Sequence, residues 1–355
     1  MQTLGILDEN RLKFIPQQHW KEHEFCFFLH DRLVQLLIEY ENSGIKEQVS
    51  DAFNEVIIEN NGNPEDIDIL EFMKNHKLTE PYKHHIRSHV TLALTSDMLH
   101  FLYEALSCFE KRKFSVAFSL LRKPLKEHIF FLSWLLADED DFISRFEANN
   151  HTTFNRISKD KKIEIFNNAI DKFTIDETFD AELIWDMIYS KSQHNGFEPI
   201  LQRATHLITS QGDLLKTEDY SFNFIFEDSQ DNYHYEFVYS KLPYLLMFTT
   251  HLLLENFNKV SAVNEHTFNH SLITTMGCYE ALFIDGRSQT ISRMLKKQLG
   301  SLLKCIHCKE PIKINKQNAL SFYLKEEINC IHCGLNTEFP LYWILSMSNL
   351  LISKK

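Results

Sequence analysis

Two cysteine pairs near one end of the sequence, KCIHCKE from Lys304 and NCIHCGL from Asn329, constrain the chain more than any other feature. They form a C-x2-C, twenty-one residues, C-x2-C pattern. A two-residue gap lets both sulfurs of a pair turn toward one point, and two pairs supply four soft ligands for a tetrahedral metal ion. Cys305, Cys308, Cys330 and Cys333 are therefore expected to bind one zinc ion in a C-terminal zinc ribbon. Four protein ligands leave no open coordination position, so the expected role is structural. A thioredoxin-like redox pair would need one C-x2-C in a βαβ setting, which the surrounding sequence does not have. KINKQNALSFYLKEEI, between the pairs, has β character, and TEFPLYWIL, after them, resumes it, as ribbon strands would. Gly334 follows the second pair at a position that often needs a positive φ.

Outside this module the chain reads as mainly α. It has 9 glycines and 8 prolines in 355 residues, with 44% hydrophobic residues, enough for a real core but poor in turn formers. We expect a helical domain over 1–285 and a basic helix plus ribbon over 286–355. Within the first, 20–76 reads as two or three amphipathic helices, and Pro81 opens a long helix to about Lys111. A strongly apolar helix from Phe114 to Ala137 completes a core hairpin. Weaker patterns follow over 159–172, 176–190 and 197–208, with SFNFIF at 221–226 as a short strand or packed segment. The run from Tyr233 to Phe257 is helical in period, with a kink or shifted start expected at Pro243. Helices over 268–283 and 287–303 lead to the first cysteine pair.

The formal charge of −12 is unevenly spread. Residues 286–355 hold eleven Lys or Arg against four acids, a net of +7, which leaves −19 on the rest. An acidic body repels a polyanion that a basic module can approach, so RNA or another nucleic acid is an expected partner of the C-terminal part. The N-terminal MQTLGILDENRLKF lacks a basic flank leading into an apolar core, so no secretory signal is expected. The longest apolar stretches, from Ile129 and Leu242, fall short of the roughly 20 residues of a membrane span. With four of seven cysteines in tight pairs, a soluble cytoplasmic protein is expected. Cys26, Cys108 and Cys278 sit in apolar runs and are expected in the core.

The sharpest polar group in the helical part is LLRKPLKEH, Leu120 to His128, between apolar runs. Arg122 and His128, six residues apart, resemble the R-x(4 to 6)-H signature of HEPN-type ribonucleases, helical bundles common in bacterial toxin and phage-defence systems. The resemblance covers one motif on one helix, and Lys123 stands where the family often has Asn, Asp or His. It implies metal-independent RNA cleavage at a homodimer interface, with His128 handling the ribose hydroxyl proton and Arg122 holding the phosphate. Histidine suits that proton transfer because its pKa lies near neutrality. On an unbroken helix six residues turn through about 240° net, so convergence needs the kink Pro124 can supply or a partner chain. The bland reading pairs Arg122 with Glu127 as an ion pair that organises the hairpin. His85 with His89 and His266 with His270 are H-x3-H pairs that could hold a second metal.

Two functions follow from these readings: an effector that binds or cleaves RNA, and a non-enzymatic scaffold whose body and ribbon bind a protein partner. Glycine-loop nucleotide-binding motifs do not occur in the sequence.

Overall fold

Long stretches without glycine or proline leave little to stop a helix, and their apolar spacing gives each helix a side to bury. The computed structural model describes residues 3–42, 68–148, 157–192, 195–209, 232–284 and 290–346, with isolated positions between them. It is mainly α, with one two-stranded antiparallel sheet among the described residues. The boundary expected at 285 and half of SFNFIF lie outside the described residues.

The body is organised by α1 (Trp20–Asn42), α2 (Thr79–Phe109), α3 (Phe114–Lys123), α4 (Ile129–Ala137), α5 (Leu242–Val260) and α6 (Glu265–Phe283). Helix α5 is apolar on nearly every side and packs against α1, α2 and α4, as a central helix must. The apolar run that precedes it breaks at Ser240 and Lys241. This places Pro243 in the first turn of α5, where a missing N–H costs nothing.

The hairpin of α2 with α3 and α4 has a defect at its centre. Pro124 has no N–H to donate, and Pro124–His128 forms a π-turn in which Ile129 N–H reaches back five residues to the Pro124 carbonyl. The chain stays helical through it.

The C-terminal residues comprise α7 (Thr290–Leu299), α8 (Ala319–Lys325), β1 (Glu327–Asn329), β2 (Asn336–Glu338) and α9 (Leu341–Ser346). Here the expectation of ribbon strands needs correction. Most of the segment between the cysteine pairs that was expected as β is loop and the helix α8, and TEFPLYWIL ends in the helix α9. Ala319, Phe322 and Tyr323, at i, i+3 and i+4, are all buried, and a helix alone puts that spacing on one face. That face lies against α6. Glu326, in the left-handed region with φ of 54°, stops α8 and turns the chain into β1, whose Ile328 pairs with Thr337. The strands are three residues each, so the module is a ribbon only around its second cysteine pair.

Docking depends on one missing side chain. Gly277, in the middle of α6, lies under the Tyr323 ring, and a Cβ there would sit 2.4 Å from Tyr323 Cζ. The ring cannot swing aside, because it is 1% exposed and its hydroxyl is 3.0 Å from Ser292 Oγ on α7. A Gly277→Ala variant should lose about 2 kcal/mol of stability through overpacking, despite the better helix propensity of alanine. Denaturant titration measures this, and the additional Tyr323→Leu change should recover part of the loss; a Gly277→Ala protein as stable as the parent would contradict this packing.

Candidate metal centre

Each cysteine pair is shaped by the same backbone pattern. Cys305 N–H donates to the Glu310 carbonyl and Lys309 N–H to the Cys305 carbonyl. In the second pair Cys330 N–H donates to Leu335 and Gly334 N–H to Cys330. Each turn requires a left-handed residue after its second cysteine, and these are Lys309 at φ 63° and Gly334 at φ 70°. The positive φ expected at Gly334 is thus present, and the strained non-glycine partner, Lys309, was not anticipated.

These two turns bring the four sulfurs within 4.8 Å of one another. Cys305 Sγ lies 3.7 Å from Cys333 Sγ, and Cys308 Sγ lies 3.7 Å from Cys330 Sγ. A disulfide would bring two sulfurs to about 2.0 Å. By contrast, a tetrahedron with metal–sulfur bonds of about 2.3 Å has sulfur–sulfur edges of about 3.8 Å. The donor set and its spacing therefore fit a soft divalent metal. The Cys305 thiol is pulled down to about 5, first by the Cys308 backbone N–H, with further help from the Thr337 hydroxyl. At Cys308 the Glu310 N–H acts to lower the pKa, but burial and the neighbouring sulfurs outweigh it and push the thiol up to about 12. Four thiolates so close do not coexist without a cation among them. Thr337, buried on β2, lies 3.6 Å from Cys305 Sγ and orients it. His307 and His332 point to the exterior, and among the described residues these cysteines are the one converging group of three or more metal-ligating side chains. His270 instead contacts Glu326 Oε1 at 3.0 Å.

The C-terminal residues expose more cations than acids, with Glu310 and Glu338 the exposed acids among them. Arg293, Lys296, Lys297, Lys304, Lys309, Lys313 and Lys325 are exposed, and none forms an ion pair with another described residue. Large apolar side chains stand among them, with Ile306 57%, Ile331 62% and Trp343 60% exposed.

Arg122 lies just before the π-turn and His128 is its last residue, and they take different partners. Arg122 Nη1 donates to Glu127 Oε1 at 3.4 Å, with both side chains partly exposed. His128 is buried, with Nε2 3.0 Å from Asp97 Oδ2 on α2 and Nδ1 without a hydrogen-bond partner. Lys123 Nζ also reaches Asp97 Oδ2. Burial pulls the His128 pKa down to about 4, against the opposing pull of Asp97. No hydrogen bond or ion pair joins Arg122 to His128 within the chain. Sequence spacing singled out both residues but gave no sign of Asp97, which lies 25 residues before Arg122 on another helix.

Comparison with known proteins supplies no relative: no family model matches the chain, and neither a curated protein nor a solved structure matches it.

Two outcomes follow. Lys309→Gly should stabilise the metal-loaded protein by about 0.5–1 kcal/mol by relieving left-handed strain, while Gly334→Ala should cost about 1 kcal/mol. Thermal unfolding of both variants tests the shared turn geometry, and equal effects of one sign would contradict it. Separately, His128 and the fully buried His251 are both held neutral, with pKa values lowered to about 4 by burial. The unfolded chain binds their protons below about pH 6.5, so stability is full above that value and is lost as pH falls toward 4. The slope from each is at most about 1.4 kcal/mol per pH unit. A His251→Leu variant should flatten the slope of stability against pH over this window.

Proposed function

We propose that the protein is a zinc-stabilised RNA-binding protein whose contact surface is the C-terminal module. One Zn2+ held by Cys305, Cys308, Cys330 and Cys333 supplies folding free energy to that module and no chemistry, because its four protein ligands complete a tetrahedral shell. The observation that carries the reading is the exposed basic surface of the C-terminal residues, whose seven described cations form no ion pair with another described residue. A cation left unpaired in an otherwise acidic protein is available to a phosphate, and counterion release drives such contacts. The exposed Trp343 offers a face on which an unpaired base can stack.

Arg122 and His128 remain the pair through which this protein would cleave RNA, at an interface between two copies, as the HEPN resemblance implies. The burial of His128 and its contact with Asp97 support the binding half of the reading more than the cleaving half. The exposed Ile306 and Ile331 favour a second reading, a scaffold that binds a protein partner.

Metal analysis should find about one zinc per chain, lost together with the module's ordered structure in Cys330→Ser. RNA affinity should fall steeply with salt, with a log–log slope shallower by about 0.7 for each of Lys296, Lys297 and Lys313 neutralised. A salt-independent affinity would sink the RNA reading and favour the scaffold. Incubation with total RNA, with and without chelator, beside Arg122→Ala and His128→Ala, decides cleavage. Loss of a chelator-resistant activity in both folded variants would assign those residues, and equal cleavage by all three proteins would exclude them.

A further inference from the structure

Where the module meets the body, α1, α5, α6 and α9 enclose a cavity of about 360 Å3, the size of a small-ligand site. Its wall carries an arginine that no carboxylate of the described residues contacts directly. Arg32 donates from Nη1 to Gln35 Oε1 at 3.3 Å and lies 5.2 Å from the centroid of the Phe28 ring, but forms no ion pair with a described residue. Partial burial lowers its pKa, against the weaker opposing pull of Cys278, Glu326 and Glu39. Partly buried guanidinium groups are ordinarily held in direct ion pairs, and this one has room for an anion in contact with it. Ser271, across the cavity on α6, has a hydroxyl with no hydrogen-bond partner among the described residues.

The other groups define the rest of a ligand. Glu39 lines the same cavity two turns further along α1, and accepts from Gln35 Nε2 at 2.9 Å, which leaves acceptor capacity on its carboxylate. His270, the remaining titratable group on α6 at this wall, is held by Glu326 at 3.0 Å and kept from charging by burial. A second cavity of about 180 Å3 shares Leu36, Glu39, Val263 and Thr267 with the first and ends at Tyr40 and Phe257. The series is thus an anion-binding end at Arg32 and Ser271, an acceptor at Glu39 and an apolar end beyond it.

We propose that these joined cavities bind a nucleotide, with its phosphate at Arg32 and Ser271, base N–H donors at Glu39 and the ring against Val263 and Phe257. A guanidinium suits a phosphate monoester because it donates two parallel hydrogen bonds. The same chemistry is presented by a free nucleoside monophosphate and by the phosphorylated end of an RNA strand. This site is independent of the basic surface proposed to bind RNA. Because Tyr342 of α9 forms part of the wall and His270 holds Glu326, an occupied cavity also braces the module against α6.

Isothermal titration of the zinc-loaded full chain tests this at high salt, where polyanion contacts at the basic surface are screened. The probes are a nucleoside monophosphate, its unphosphorylated nucleoside, inorganic phosphate, and an end-phosphorylated oligoribonucleotide beside its unphosphorylated twin. The monophosphate or the end-phosphorylated strand should bind at least about tenfold more tightly than its unphosphorylated counterpart, and Arg32→Gln should remove that preference. Preference for the free monophosphate would identify a metabolite ligand, and preference for the strand alone an RNA end. Glu39→Gln should weaken the nucleotide while leaving inorganic phosphate unchanged. Absence of any phosphate preference, or a preference that persists in Arg32→Gln with an unaltered circular dichroism spectrum, overturns the proposal.

Discussion

The contact of the Tyr323 ring with Gly277 joins the metal module to everything else. Tyr323 is fully buried, and sinking a ring of that size between two helices contributes on the order of 2 kcal/mol. Glycine in the middle of α6 costs helix stability, and the cost is offset because only a residue without a Cβ lets the ring lie against the helix backbone. The Tyr323 hydroxyl then meets Ser292, so the basic helix α7 is fixed to the same point. Glu280, one turn further along α6, accepts from Thr290 and Ile291 N–H and caps the start of α7. His270, nearly two turns before Gly277, reaches Glu326, whose other carboxylate oxygen accepts from Leu341 N–H at the start of α9. One face of α6 therefore positions α7, α8 and α9.

The body is held by buried polar groups that each satisfy several partners. Glu24, fully buried on α1, accepts from the N–H groups of Leu4, Ile6 and Leu7 and so ties the N-terminal segment to the core. Glu110, at the end of α2, receives the Arg11 guanidinium, and His23 lies between Glu110 and the Tyr239 hydroxyl. These networks link residues far apart in sequence, which makes them costly to disturb singly. The π-turn at Pro124 belongs to the same economy of the core. It shifts the helical phase between α3 and α4, so that Leu125 and Ile129 remain buried while Arg122 and His128 take separate acidic partners.

Much of this was legible in one dimension. Scarcity of turn formers gave the helices, and C-x2-C spacing gave the four converging cysteines, since a knuckle is a local structure whose sulfurs converge whatever surrounds it. The interruption at Pro124 and the shifted start at Pro243 were legible for the same reason, because proline acts on its own backbone. The segment between the cysteine pairs was misread, since aromatic and β-branched residues such as Phe322, Tyr323 and Ile328 suit a strand as well as a helix until a partner is known. Helix α6 decided the matter by offering Gly277 to Tyr323.

The sequence by itself determined the class of the fold, the four sulfurs and the contrast between an acidic body and a basic C-terminal module. Each is set by composition or by residues within a few positions of one another. Tertiary structure alone decided that His128 faces Asp97, that no carboxylate of the described residues contacts Arg32 directly, and that the module shares the body's core. Those facts depend on which distant side chains packing brings within a few ångströms, and residue spacing along the chain does not carry that information.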